Sequence, residues 1–107
     1  MTNTADSIVL IGMPGAGKST LGILLAKELG MDFVDTDVVI QVLEGKTLQQ
    51  ILDGSDYMQL RAIEEQVLLT EQITGKVVVT GGSAVYSETG MARLKENALV
   101  LFLDVPL

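Results

Sequence analysis

Three observations predict an α/β domain built on a mainly parallel sheet with helices on both faces. Apolar, mostly β-branched runs without polar alternation, "IVLI" at 8–11, "KVVVT" at 76–80 and "ALVLFLD" at 98–104, read as strands buried on both sides. Between them lie longer stretches whose apolar residues recur at helical spacing. Strand and helix signals alternate along the chain, which calls for parallel pairing through right-handed crossovers.

The first strand, Ile8 to Ile11, runs straight into "GMPGAGKST". Its spacing, G-x-x-x-x-G-K-S, is that of a phosphate loop, and each part has a physical task. Gly12, Gly15, Ala16 and Gly17 let successive backbone N–H groups point inward around a phosphate. The helix that follows adds its positive N-terminal end at the same place. Lys18 then reaches the outer phosphates, the Ser19 hydroxyl ligates Mg²⁺, and Thr20 completes the nucleotide-binding set. A glycine-rich turn that merely joined strand to helix would not require Lys-Ser-Thr after the last glycine. Leu21, Leu24, Leu25 and Leu29 carry the first helix to Gly30. The fold class is thus a P-loop NTPase-type sheet, cut off after its fourth strand. ATP is the expected nucleotide, since no guanine-reading motif follows.

A short second strand around Phe33 and Val34 runs into Asp35 and Asp37. A helix from Val38 to about Leu43 ends at Gly45, and Thr47 caps another over "TLQQIL". "DGSD" at 53–56 forms a turn. A long helix is expected from Tyr57 to Ile73 with Gly75 as its stop. The third strand leads into the loop "GGSAVYS", a short helix covers residues 88–97, and a buried fourth strand follows. Ligands belong at the carboxyl ends of such strands, where the phosphate loop, Asp35-Thr36-Asp37 and Gly81-Gly82-Ser83 collect. A lone Asp there would be a helix cap. Two at alternate positions beside a phosphate loop point to Mg²⁺ and substrate. On the long helix, Tyr57, Leu60, Ile63, Val67 and Leu68 cover one sector, with Glu64 inside it and Arg61 at its edge. Arg61 lies one turn before Glu64, so the two can pair and leave guanidinium donors facing the cleft. An exposed ion pair of little energetic weight is the competing reading.

Composition narrows the chemistry. One domain is expected from 107 residues, 48% of them hydrophobic, with a core of mostly Leu, Val and Ile. The lack of cysteine removes disulfides and thiol chemistry, and the lack of histidine leaves proton transfer to carboxylates, Lys or water. A net charge of −7 with seven scattered Lys and Arg argues against nucleic acid. The polar start "MTNTADS" lacks the layout of a signal peptide and no apolar run is long enough to span a membrane. A cytoplasmic monomer acting on a small molecule is expected.

With these residues in place the chain resembles a shikimate kinase. "GMPGAGKST", "DTD", "LRAIEE" and "TGGSAV" carry the resemblance in this order and spacing, and it covers nearly the whole chain. The resemblance implies phosphorylation of the 3-hydroxyl of shikimate by ATP with Mg²⁺. Lys18 and Asp37 would be catalytic, with Asp37 taking the hydroxyl proton. Asp37, Arg61, Gly81 and Gly82 would bind shikimate, Arg61 through its carboxylate, and Glu64 would brace Arg61. Ser19 and Asp35 would hold the metal. The chain departs from the family in carrying Ser83 where a third glycine is usual. Leu52 and Leu60 stand where aromatic residues are expected. The family's lid with its arginine, its fifth strand, adenine loop and closing helix are not found in these residues, whose arginines are Arg61 and Arg93. Two other functions fit the same motifs: a related kinase for a gluconate-like or nucleoside monophosphate acceptor, and a non-catalytic nucleotide-binding module.

Overall fold

A computed structural model describes residues 7–12, 17–54, 57–81 and 84–103. The elements in chain order are strand β1 (Ile8–Gly12), helix α1 (Lys18–Leu29), β2 (Asp32–Asp35), α2 (Thr36–Glu44), α3 (Leu48–Gly54), α4 (Tyr57–Thr70), β3 (Lys76–Val79), a single 3₁₀ turn (Ala84–Tyr86), α5 (Glu88–Asn97) and β4 (Leu99–Leu103). The four strands pair parallel in the order β2-β3-β1-β4. Leu10 of β1 stands opposite Val79 of β3 and Leu101 of β4, and Val79 also faces Asp35 of β2. The carboxyl ends of all four strands therefore share one edge.

Unalternated apolar strands are explained by two cores, one on each face. Val9, Ile11 and Val78 point to the side covered by Leu68 of α4 and Met91 and Leu94 of α5. Their neighbours Leu10, Val77 and Val79 point to the other, against Ala26, Leu21 and Leu25 of α1. A third apolar cluster, Ile40, Ile51, Leu60 and Val67, joins α2, α3 and α4 into a helical flank beside the β2 edge.

The helix ends follow their local chemistry. Thr47 and Gln50 form a reciprocal cap on α3: Gln50 N–H donates to Thr47 Oγ1 at 3.1 Å and Thr47 N–H to Gln50 Oε1 at 2.9 Å. Ser87 caps α5 by accepting from Gly90 N–H at 3.0 Å. At the other end of α4, the Arg93 guanidinium donates to the carbonyls of Leu68 at 2.7 Å and Glu71 at 2.8 Å. This arginine serves as a C-terminal cap from the neighbouring helix.

Five expectations from the sequence need correction. The turn expected over 53–56 begins inside α3, which runs to Gly54, while residues 55 and 56 lie outside the described residues. Helix α4 stops at Thr70 rather than at Ile73, because leaving the helix there lets Ile73 enter the core and its carbonyl accept the Ser7 hydroxyl at 2.6 Å. Helix α2 begins at Thr36, not Val38, since Asp35 already caps it. Leu24 and Leu29 do not face the sheet; α1 packs through Gly22 and Ala26, and those leucines are about half exposed. The fourth strand is not buried: β4 lies at the sheet edge, with Leu99 and Phe102 turned outward. No described helix is long and apolar enough to cross a membrane.

Candidate functional site

The site grows from the ends of β1, β2 and β3. Gly12 closes β1, and Gly17 reopens the described chain as the residue before α1, in the left-handed region at φ 80° where only glycine is at ease. Gly15 and Ala16 of the predicted phosphate loop lie outside the described residues. Lys18, the first residue of α1, is nine-tenths buried, and its Nζ donates to the carbonyl of Gly12 at 2.8 Å. That bond turns the lysine back, so the ammonium sits over the end of β1. Thr20 follows on the first turn of α1 and is exposed.

Asp35 is the last residue of β2 and does two jobs at once. One oxygen accepts the N–H of Asp37 at 2.9 Å and caps α2; the other accepts the Ser19 hydroxyl at 3.3 Å. The cap alone would explain an Asp here. The Ser19 contact adds something a cap does not require: two hard oxygen donors, a hydroxyl and a carboxylate, held side by side at the mouth of the loop. Mg²⁺ keeps several waters and takes few protein ligands when it travels with phosphates, so this donor pair fits it. No group of three or more His, Cys, Asp or Glu able to hold a metal occurs among the described residues.

Asp37 sits in the first turn of α2, with its carboxyl pushed above the ordinary range. Burial is the largest cause, followed by the neighbouring charges of Asp35 and Glu64, with Lys18 pulling partly the other way. Gly81 meets the same group: a Cβ on Gly81 would come within 2.7 Å of Asp37 Oδ1 and 3.0 Å of Glu64 Oε2. The backbone after β3 is therefore packed against both carboxylates, and a side chain here would have to push their ends aside. Thr80 holds that backbone down, since both its N–H, at 3.2 Å, and its hydroxyl, at 3.1 Å, donate to the carbonyl of Leu10 in β1. Thr80 was not read as functional from the sequence, although a buried hydroxyl between two strand ends is the kind of group that locks such a junction. Gly82 and Ser83 lie outside the described residues.

Arg61 departs from the expected arrangement. Among the described residues its contacts run not to Glu64 but to two aromatic rings: the guanidinium carbon lies 4.6 Å from the centroid of Tyr57 and 4.4 Å from that of Tyr86. Its Nη2 is 3.5 Å from the Tyr57 hydroxyl, and its Nε is buried with no hydrogen-bond partner. Glu64 is turned instead toward Asp37 and Gly81. The helical phase that put Glu64 inward and Arg61 at the rim is right; the brace is different. Leu60 is buried against Ile40, Ile51 and Val67, whereas Leu52 is exposed. The aromatic surface near the site comes from Tyr57, which the sequence placed in the apolar sector of α4 and which is half exposed, and from Tyr86, which sequence reasoning did not single out.

Comparison with known proteins places the chain among relatives of one kind. The chain matches the family model described as shikimate kinase over residues 14–107. It is 39% identical over 106 residues to a shikimate kinase of Clostridium botulinum, covering 94% of this chain and 61% of that protein. Among solved structures, it is similar to the shikimate kinase from Acinetobacter baumannii in complex with shikimate, with a TM-score of 0.89, 35% identity, and coverage of 96% of this chain and 58% of that one. The shikimate kinase from Aquifex aeolicus gives a TM-score of 0.81 at 35% identity, covering 94% of this chain and 60% of that one. The chain spans about 60% of the length of the relatives it matches.

Proposed function

The chain belongs to the shikimate kinase family, and from that membership we propose that the protein transfers the γ-phosphoryl group of ATP to the 3-hydroxyl of shikimate. One observation carries the reading. Asp37, the carboxyl placed to meet an attacking hydroxyl, lies within electrostatic reach of Lys18 on one side and against the Gly81 backbone on the other. Phosphate handling and acceptor handling thus share one small space at the carboxyl edge of the sheet.

The chain's own groups divide the work. Backbone N–H groups around Gly17 and the N-terminal end of α1 receive the phosphates, and Lys18 balances charge on the outer two. Mg²⁺ held by Ser19, and through water by Asp35, would supply further neutralisation of the β- and γ-phosphates. Asp37 orients the acceptor hydroxyl and accepts its proton as the oxygen–phosphorus bond forms and the bond to the ADP oxygen breaks. Its raised proton affinity suits that task, because a base works best when its pKa lies closer to the working pH. Arg61 receives the acceptor's carboxylate. Most of the rate gain comes from positioning.

The test is Arg61→Lys in the full-length protein. Charge is kept and the planar fork is lost. The KM for shikimate should rise about tenfold or more, since a charge-assisted hydrogen bond contributes about 1.5–3 kcal/mol, while the KM for ATP stays as it was. Unchanged Michaelis constants for both substrates would remove the carboxylate-bearing acceptor from this account.

A further inference from the structure

A guanidinium that must greet an incoming carboxylate faces a design conflict. Bracing it with a protein carboxylate fixes its plane but offsets its charge and competes with the ligand. In this chain the guanidinium of Arg61 lies against two uncharged rings instead, 4.6 Å from the centroid of Tyr57 and 4.4 Å from that of Tyr86. Tyr57 comes from one turn earlier on α4, and Tyr86 from the 3₁₀ turn that follows the β3 loop, so the second ring reaches Arg61 only in the folded state. We propose that Tyr57 and Tyr86 are positioning residues that hold Arg61 flat and fully charged for the acceptor's carboxylate, an inference that rests on the acceptor reading above.

Three further features support it. The Nε of Arg61 is buried and has no hydrogen-bond partner among the described residues, so an anionic ligand can meet only the Nη edge, and the rings decide where that edge points. Tyr86 is largely exposed and borders a cavity of about 290 Å³, so close packing does not hold its ring in place. A hydrogen-bonded latch does so: Glu65 accepts the Ser87 hydroxyl at 2.5 Å and the Thr89 hydroxyl at 3.1 Å, tying the residue after Tyr86 to the helix that carries Arg61. These bonds also keep the Glu65 carboxyl below its ordinary range.

The experiment compares Tyr86→Ala, Tyr86→Phe, Tyr57→Leu and Arg61→Lys in the full-length protein, with shikimate and with a shikimate analogue whose carboxylate is reduced to an alcohol. Each lost ring should raise the KM for shikimate about two- to fivefold, and both together about tenfold, with kcat and the KM for ATP little moved. Tyr86→Phe, which keeps the ring, should restore the KM. The KM for the alcohol analogue should not respond to either ring. If Arg61→Lys raises the KM for shikimate while Tyr86→Ala and Tyr57→Leu leave it unchanged at an unaltered melting temperature, the clamp is wrong and the acceptor reading stands. A rise with Tyr86→Ala that is equal for shikimate and the alcohol analogue also overturns the clamp, because the ring would then be a general wall of the site. If Arg61→Lys itself has no effect, both the acceptor reading and the clamp fall.

Discussion

At Asp37 three carboxylates and one ammonium meet in a partly buried space, and the balance among them decides both activity and stability. Because burial and the charges of Asp35 and Glu64 raise its proton affinity, the folded state binds that proton more tightly than the unfolded chain does. The stabilising contribution of this group is therefore complete below the ordinary carboxylate range and is lost as pH rises through the raised value. Asp37→Asn should raise the melting temperature at pH 7, lose that advantage near pH 4, and abolish turnover. A lower melting temperature at pH 7 would show that the carboxylate is net stabilising where it stands. Lys18→Ala should reduce kcat by about a hundredfold or more, because it removes a cation aimed at developing charge. Nucleotide affinity should fall less, since the backbone donors remain, and a near-normal kcat would contradict the role given to Lys18. Both residues stand in local patterns, the phosphate loop and the paired aspartates, that single them out in the sequence, while the role proposed for Asp37 comes from the family resemblance. The tyrosine clamp was not legible in this way. Tyr57 stands one helical turn before Arg61, but residue 86 is brought to it only by the packing of α4 against the turn after β3, and nothing in the linear pattern records that approach.

Among the elements, α1 bears most directly on the site, since it carries Lys18 and Ser19. It reaches the sheet through Gly22, where a Cβ would come within 2.6 Å of Val79 Cγ2 and 2.9 Å of Phe33 Cε1. Neither atom belongs to a side chain that can swing away freely. Gly22→Ala should therefore lift the helix from the sheet, cost about 1–3 kcal/mol of stability, and raise the KM for ATP by moving the loop's lysine. Equal stability and kinetics in that variant would show that the helix can settle elsewhere. This contact also explains why the apolar face of α1 was misplaced from the sequence: leucines at helical spacing drew attention, but two small residues permit the close approach. The order and type of the elements were otherwise readable, because strands covered on both sides need unbroken apolar runs. The burial of β4 was not, since burial at an edge depends on what lies beside it.

For the molecule as a whole, the parallel sheet gathers every strand's carboxyl end at one edge, and the phosphate loop, the aspartates and the Gly81 backbone follow from that topology. The net charge of −7 over these residues means that an anionic acceptor is not drawn in by the overall field. It must be caught locally, which places the burden on Lys18 and Arg61. The central claim is that this edge phosphorylates shikimate with ATP, and a coupled ADP-release assay of the full-length protein with shikimate, gluconate and a nucleoside monophosphate tests it most directly. The expected result is a kcat/KM for shikimate about a hundredfold above that for either alternative, the scale of one or two hydrogen bonds left unmade when the anionic group and the attacking hydroxyl cannot both be seated. Faster turnover of gluconate or of the nucleotide would contradict it.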